Sequence, residues 1–135
     1  MSRDKNNSLP TLARKEVLEV LAERKDLSSA DMRKANLIKV DFSNCKLVGA
    51  NFAYANLKDA NFQGADLRDA SLWNANLEGA DFTNANLEGA DLDYSKLRGA
   101  TLFRANIRRA SLPVDLIPRE DIMRSVEQGG KVSKR

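Results

Sequence analysis

The chain contains no histidine and a single cysteine, Cys45. Without histidine, the commonest acid–base catalyst and metal ligand at neutral pH is missing. No Cys–His dyad, zinc site or Ser-His-Asp triad can be assembled, and a lone cysteine excludes an internal disulfide. No glycine-rich phosphate loop occurs. Nor is there an apolar run of eighteen residues, so no stretch reads as a membrane-crossing helix. The first eight residues, Met1 to Ser8, lack the apolar centre of a signal peptide. These absences lead us to expect a cytoplasmic chain that is not an enzyme and takes no cofactor, metal or small-molecule substrate.

Large rings are scarce too. One Trp, two Tyr and five Phe among 135 residues mean that a core must be built from Ala and Leu. A mean hydropathy of −0.48 with 30% charged residues leaves ample polar surface around it. The net charge of +3 hints at nucleic acid, but its distribution argues against it. From Lys25 to Val114 twelve Lys/Arg face eleven Asp/Glu, and the flanks on either side each carry five against four. No stripe of positive charge exists to neutralise phosphates, so the charge reads as a solvated mixed surface.

What the chain has in abundance is a five-residue phrase, as in Ala65-Asp66-Leu67-Arg68-Asp69 and Ala80-Asp81-Phe82-Thr83-Asn84. A large apolar residue fills every fifth position from Leu27 to Leu112, eighteen times in succession. Ala stands two residues earlier in fourteen of these units, and Asp or Asn one residue earlier in thirteen. A helix turns about 100° per residue, so a period of five would smear the Leu positions around its circumference. A flat strand would send successive Leu side chains to opposite faces. The chain must instead turn a corner once per repeat, with each central Leu or Phe pointing into one interior and the small Ala beside it. That is a β-solenoid with a narrow packed lumen. The expected core is Leu37, Phe42, Leu47, Phe52, Leu57, Phe62, Leu67, Leu72, Leu77, Phe82, Leu87, Leu92, Leu97 and Leu102. Val40, Cys45 and Ser95 take the small inward position in place of Ala, which makes Cys45 a buried small residue rather than a nucleophile. The Asp/Asn position follows the repeat and reads as turn support rather than catalysis. Gly49, Gly64, Gly79, Gly89 and Gly99 all end their units, where a positive φ is welcome.

The flanks differ. Residues 1–10 read as a disordered N-terminus and 11–25 as a capping helix with Leu12, Val17, Leu18, Leu21 and Ala22 near one face, capped by Ser8 or Thr11. The repeat block fills 26–114 and ends at Leu112-Pro113. A second capping helix is expected within 115–129, opened by Pro118 and stopped by Gly129, followed by a disordered tail over 130–135. Caps of this kind cover the exposed core and unpaired backbone at solenoid ends.

The phrase Ala, Asp/Asn, Leu/Phe and two variable residues resembles that of the pentapeptide-repeat proteins, over about two-thirds of the chain. The resemblance implies a right-handed, four-sided β-helix with one repeat per face, about twenty residues per coil and four to five coils here. At about 4.8 Å per coil the rod is about 20 Å long. Phe42, Phe62 and Phe82 recur every twenty residues and so form one interior stack on such a coil. Sorting the units by four also places Tyr54, Trp73 and Tyr94 on a single outer face, one per coil. Asp91 and Asp93 flank this stripe at one end, Arg33 and Lys34 at the other. Tyr and Trp are enriched in binding hot spots, while aromatic neighbours across adjacent strands also stabilise a sheet surface on their own. The leading expectation is a rigid module for protein–protein interaction or self-association through this face. The resemblance adds two alternatives: a DNA-mimic regulator of DNA gyrase, or a regulatory or structural protein of photosynthetic bacteria. The mimic requires an elongated, strongly acidic surface, which this near-neutral short block does not offer.

Overall fold

Asp and Asn dominate the position before each central residue because their side chains build the corner. The carboxylate or amide Oδ1 accepts a hydrogen bond from the backbone N–H two residues on, as from Ser43 to Asp41 at 2.9 Å and from Glu78 to Asn76 at 3.0 Å. Such an Asx turn starts the bend locally, before any long-range contact forms. The bend closes when the next Ala N–H donates back to the central carbonyl, for instance Ala65 to Phe62 at 3.0 Å. The corner requires a left-handed residue two places after each central residue. That position has positive φ in every unit from Ser29 to Arg109, at twelve non-glycine residues as well as the five repeat glycines. A left-handed L-residue costs about 1–2 kcal/mol, so the glycines relieve a strain that the other corners carry.

The computed structural model describes residues 11–133. Fourteen parallel bridges connect residue i to residue i + 20 without a gap, from Asp26↔Lys46 to Asp91↔Ser111. Each coil therefore takes twenty residues and four corners, and eighteen units make four and a half coils of a solenoid. Each side contributes a single-residue bridge rather than an extended strand, because a corner every five residues leaves no room for a longer one. Ladder bonds of about 2.7–3.0 Å run from coil to coil, such as Phe42 N–H to the Asn61 carbonyl at 2.7 Å and Asn61 N–H to the Val40 carbonyl at 3.0 Å.

The lumen is filled completely. Every central residue from Leu37 to Leu102 is 0% exposed. Phe42, Phe62 and Phe82 stack face to face, with centroids 5.1 and 4.9 Å apart and planes within 7° and 1° of parallel. Phe52 enters from an adjoining side and meets Phe42 and Phe62 edge-on at 5.5 and 5.8 Å. Ser95, the polar exception among the small inward residues, is satisfied by donating to the Leu92 carbonyl at 2.7 Å. Burial pushes the Cys45 thiol up to about 11, so it is a protonated packing group at neutral pH.

Both open ends are closed by hydrogen bonding as well as by apolar cover. Helix α1 spans Arg14–Glu23, shorter than the stretch 11–25 read from the sequence, and it has no side-chain N-cap. Thr11 donates instead to Asp31 Oδ2 at 3.1 Å, and Leu12 N–H donates to the Asp31 carbonyl at 2.7 Å. Arg14 reaches back over the first coil, where Nη1 donates to the Asn36 and Ile38 carbonyls at 3.2 and 2.9 Å. Lys25 does the same for the Ser43 carbonyl at 3.0 Å. The upstream coil that would have supplied these donors is replaced by side chains. Val17 is fully buried against the end of the core.

Helix α2, Arg119–Gln128, follows Pro118 and ends at Gly129 with φ 82°. It buries Ile122 and offers acceptors to the last coil: Leu102 N–H donates to Ser125 Oγ at 2.9 Å, and Arg104 N–H to the Val126 carbonyl at 3.0 Å. The segment after it departs from the disordered tail expected over 130–135. Val132 is 2% exposed and pairs with the solenoid through Gly99 N–H to its carbonyl at 2.9 Å and its own N–H to the Ala100 carbonyl at 2.8 Å. Val132 has a missing ladder partner to replace, and that backbone demand fixes its place. The expectations for residues 1–10 and for 134–135, including Ser8 as a cap, lie outside the described residues.

Two predictions follow from the corners and the caps. Arg14→Leu should keep the aliphatic cover but lose two charge-assisted bonds, lowering unfolding free energy by about 1–3 kcal/mol in urea titrations. The second concerns pH. Asp41 is held below the usual carboxylate range by hydrogen bonds from the Ser43 hydroxyl and N–H, and Asp26 chiefly by the Ser28 N–H. A lowered folded-state pKa gives stability that is full above the unfolded value, about 3.9, and is lost as pH falls through the folded one. Asn supports the same turn at other units, so Asp26→Asn/Asp41→Asn should fold, slightly less stable than the wild type at pH 7 because the neutral amides forgo the charge-assisted part of the bonds. Between pH 4 and 2 the variant should lose less stability than the wild type, as read from thermal midpoints.

Candidate functional site

The corner geometry that aims each central residue inward turns the two residues after it outward, so these variable positions, with the partly exposed residue before the centre, decorate the faces. On the face whose centres are Met32, Phe52, Leu72 and Leu92, they are Arg33/Lys34, Ala53/Tyr54, Trp73/Asn74 and Asp93/Tyr94; after Leu112, Pro113 is buried and Val114 exposed. The bridges Asn51↔Ser71 and Ser71↔Asp91 put Tyr54, Trp73 and Tyr94 on consecutive rungs. Their rings interlock edge to face. Tyr54 and Trp73 lie 5.2 Å apart at 79°, and Trp73 and Tyr94 5.7 Å apart at 75°. Tyr54 and Tyr94 remain 51% and 56% exposed, while Trp73 between them is half-buried.

The charged residues beside the ladder differ in how firmly they are held. Asp91 Oδ1 accepts the Asp93 N–H at 2.9 Å as the turn requires, and Asp93 Oδ1 accepts the Ser111 hydroxyl at 2.6 Å. Neither pairs with a Lys or Arg among the described residues. At the other end Arg33 is clamped to Asp31 by two bonds of 2.9 and 2.7 Å, and this guanidinium holds the Asp31 carboxyl below its ordinary range. Lys34 makes no ion pair among the described residues.

The face extends further than the three rings. Val114 and Leu116, in the turn that follows the last bridged rung, are 47% and 51% exposed. Tyr94, Val114 and Leu116 line a cleft of about 360 Å³ rimmed by Asp93, Asp115 and Arg119. Among the described residues, four of the five exposed large hydrophobics thus belong to this face or the cleft beside it, the exception being Leu18 on α1. Sequence reasoning stopped the stripe at Tyr94. The signal that would have extended it is the twenty-residue step from Tyr94 to Val114.

No cluster of three His, Cys, Asp or Glu that could hold a metal occurs among the described residues. Acidic groups on the adjoining face are tied to arginines, Asp66 to Arg68 at 2.7 Å and Glu88 to Arg109 at 3.0 Å.

A family model described as the pentapeptide repeat region matches residues 23–112. The chain belongs to the pentapeptide repeat family. Among solved structures, this pentapeptide repeat protein is similar to alr5209, a pentapeptide repeat protein of Nostoc PCC 7120. The two are 34% identical with a TM-score of 0.69, over 77% of this chain and 90% of that one. It is also similar to a pentapeptide repeat protein of the Arabidopsis thaliana thylakoid lumen, at 30% identity and a TM-score of 0.45 over 76% and 77% of the chains. A further similar protein is HetL of Nostoc sp. strain PCC 7120, involved in heterocyst differentiation regulation, at 26% identity and a TM-score of 0.40 over 67% and 63%. No curated protein matches the chain.

The ring contacts make a prediction of their own. A double-mutant cycle on Tyr54→Ala and Trp73→Ala should return a coupling of about 0.5–1.5 kcal/mol in unfolding free energy. Tyr54→Ala paired with Leu18→Ala on α1 should return none.

Proposed function

We propose that this pentapeptide repeat protein is a non-catalytic interaction module that binds another protein through the Tyr54–Trp73–Tyr94–Val114–Leu116 face. One observation carries the reading: among the described residues, nearly all the exposed large apolar side chains are gathered there. The repeat needs a small or polar residue at these outward positions no more than a large one, since other faces carry Ser, Gln, Lys and Glu. Contiguous exposed apolar surface rimmed by charge marks protein interaction sites. The rigid ladder beneath lets such a face bind without ordering a loop, which reduces the entropic cost of association. The right-handed winding that the family resemblance implies belongs to this proposal, as does the absence of enzymatic activity.

The test is capture on immobilised protein. Replacing Trp73 and Tyr94 together with Ser should remove the captured partners while the thermal melt stays cooperative. A folded variant with an unchanged capture profile overturns the reading.

A further inference from the structure

The charges along the aromatic face are arranged so that the face complements itself. On its first rung Asp31, Arg33 and Lys34 sum to +1, and the second and third rungs, with Tyr54 and Trp73, carry no charge. On the fourth rung Asp91 and Asp93 sum to −2. Positive and negative ends are therefore separated by an uncharged aromatic centre, three rungs or about 14 Å from end to end. The charges that matter are unspent: Lys34, Asp91 and Asp93 form no ion pair among the described residues, whereas Asp31 already neutralises Arg33.

We propose that this face pairs with the same face of a second copy of the chain, the two rods antiparallel about a two-fold axis between the second and third rungs. The proposal rests on the reading of the face as a protein-binding surface and names its occupant. In that register Tyr54 of each copy meets Trp73 of the other, and Lys34 of each meets Asp93 and Tyr94 of the other. Lys34 and Tyr94 sit in the same column of left-handed corner residues, φ 61° in both, so each projects from an equivalent backbone position. A cation over a tyrosine ring and beside a free carboxylate is favourable on both counts. Parallel pairing would set Lys34 against Lys34 and Asp93 against Asp93, so charge selects the antiparallel mode. The contact is isologous and closes on itself, giving a dimer rather than a fibre. A face four to five rungs long offers less than the standard interface of about 800 Å² per partner. The dimer is consequently a weak one that forms as concentration rises and loosens with salt.

Sedimentation equilibrium on the whole chain tests this. The wild type should dimerise reversibly, and Lys34→Glu or Asp93→Lys alone should weaken the dimer by about tenfold or more through two like-charge contacts. An equimolar mixture of the two variants should recover wild-type affinity, because in the mixed pair both contacts again join opposite charges. Asp93→Asn, which retains an acceptor for the Ser111 hydroxyl, should weaken the dimer less, and stands in should Asp93→Lys fail to fold. A wild type that stays monomeric to about 1 mM, single variants that associate as the wild type does, or a mixture that stays monomeric overturns the dimer. Among these outcomes, a monomeric protein that still captures a different partner in a Trp73/Tyr94-dependent way leaves the binding face standing. A monomer whose capture ignores those residues removes both.

Discussion

The left-handed residue that closes every fifth position is the constraint on which the rest of the structure depends. It turns the chain through a corner often enough that four corners complete a coil, and the coil length fixes which residues stack. Twelve L-residues are held there at positive φ, a conformation that Asn44, Asp59, Asp69, Asn74 and Asn84 tolerate and the other seven resist. Local chemistry offsets part of that strain: an Asx side chain already bends the preceding two residues, and the turn bond from Ala completes the loop. The ladder supplies the remainder, since a coil with a misplaced corner would lose its bonds to the coils above and below together. Stability is thus cooperative along the rod although each contact is only a single-residue bridge.

A solenoid whose coils satisfy one another has its difficulty at the ends. Each terminal coil presents a row of carbonyls or amides with no successor. The two ends meet this with different means. At the first coil carbonyls face outward, and they receive cationic donors from Arg14 and Lys25 together with the Leu12 amide. At the last coil the amides of Gly99, Leu102 and Arg104 receive acceptors, namely the Val132 carbonyl, the Ser125 hydroxyl oxygen and the Val126 carbonyl, while the Ala100 carbonyl takes the Val132 N–H. The first cap therefore works chiefly by donating and the second chiefly by accepting, with Val132 doing both.

How much of this was legible depends on whether a feature repeats. The period of five implied a coil, and the phenylalanines at 42, 62 and 82 marked a twenty-residue turn that the parallel bridges show directly. The Asp/Asn position read as turn support, and the hydrogen bonds show the donor it serves. The caps were legible as helices but not as hydrogen-bonding devices. A guanidinium reaching two carbonyls more than twenty residues downstream leaves no local pattern, and neither does a single valine pairing with a distant edge. Val132 reads as part of a polar tail because its neighbours are polar; the open ladder edge that orders it exists only once the coil is built. At the candidate face, sorting by four placed Tyr54, Trp73 and Tyr94 together, yet Val114 and Leu116 escaped because they follow the last repeat and meet Tyr94 only across a cleft.

The two classes of position in the repeat are under different physical demands, and this gives the outer face its meaning. Inward positions must fit a lumen of fixed cross-section, so they converge on Leu, Phe and Ala, and their uniformity carries information about the rod alone. Outward positions touch solvent and the neighbouring rungs, so almost any side chain satisfies the fold there. A solvent-facing corner gains little from a tyrosine: half of Tyr54 and more than half of Tyr94 remain in water. Edge-to-face contact with Trp73 accounts for the buried part of each ring but not for the apolar surface left exposed, nor for its continuation through Val114 and Leu116. Stabilisation of the rod explains the ladder's interior contacts. The exposed edge, with charges of opposite sign at its two ends that make no ion pair among the described residues, is the surface that the proposed pairing would cover.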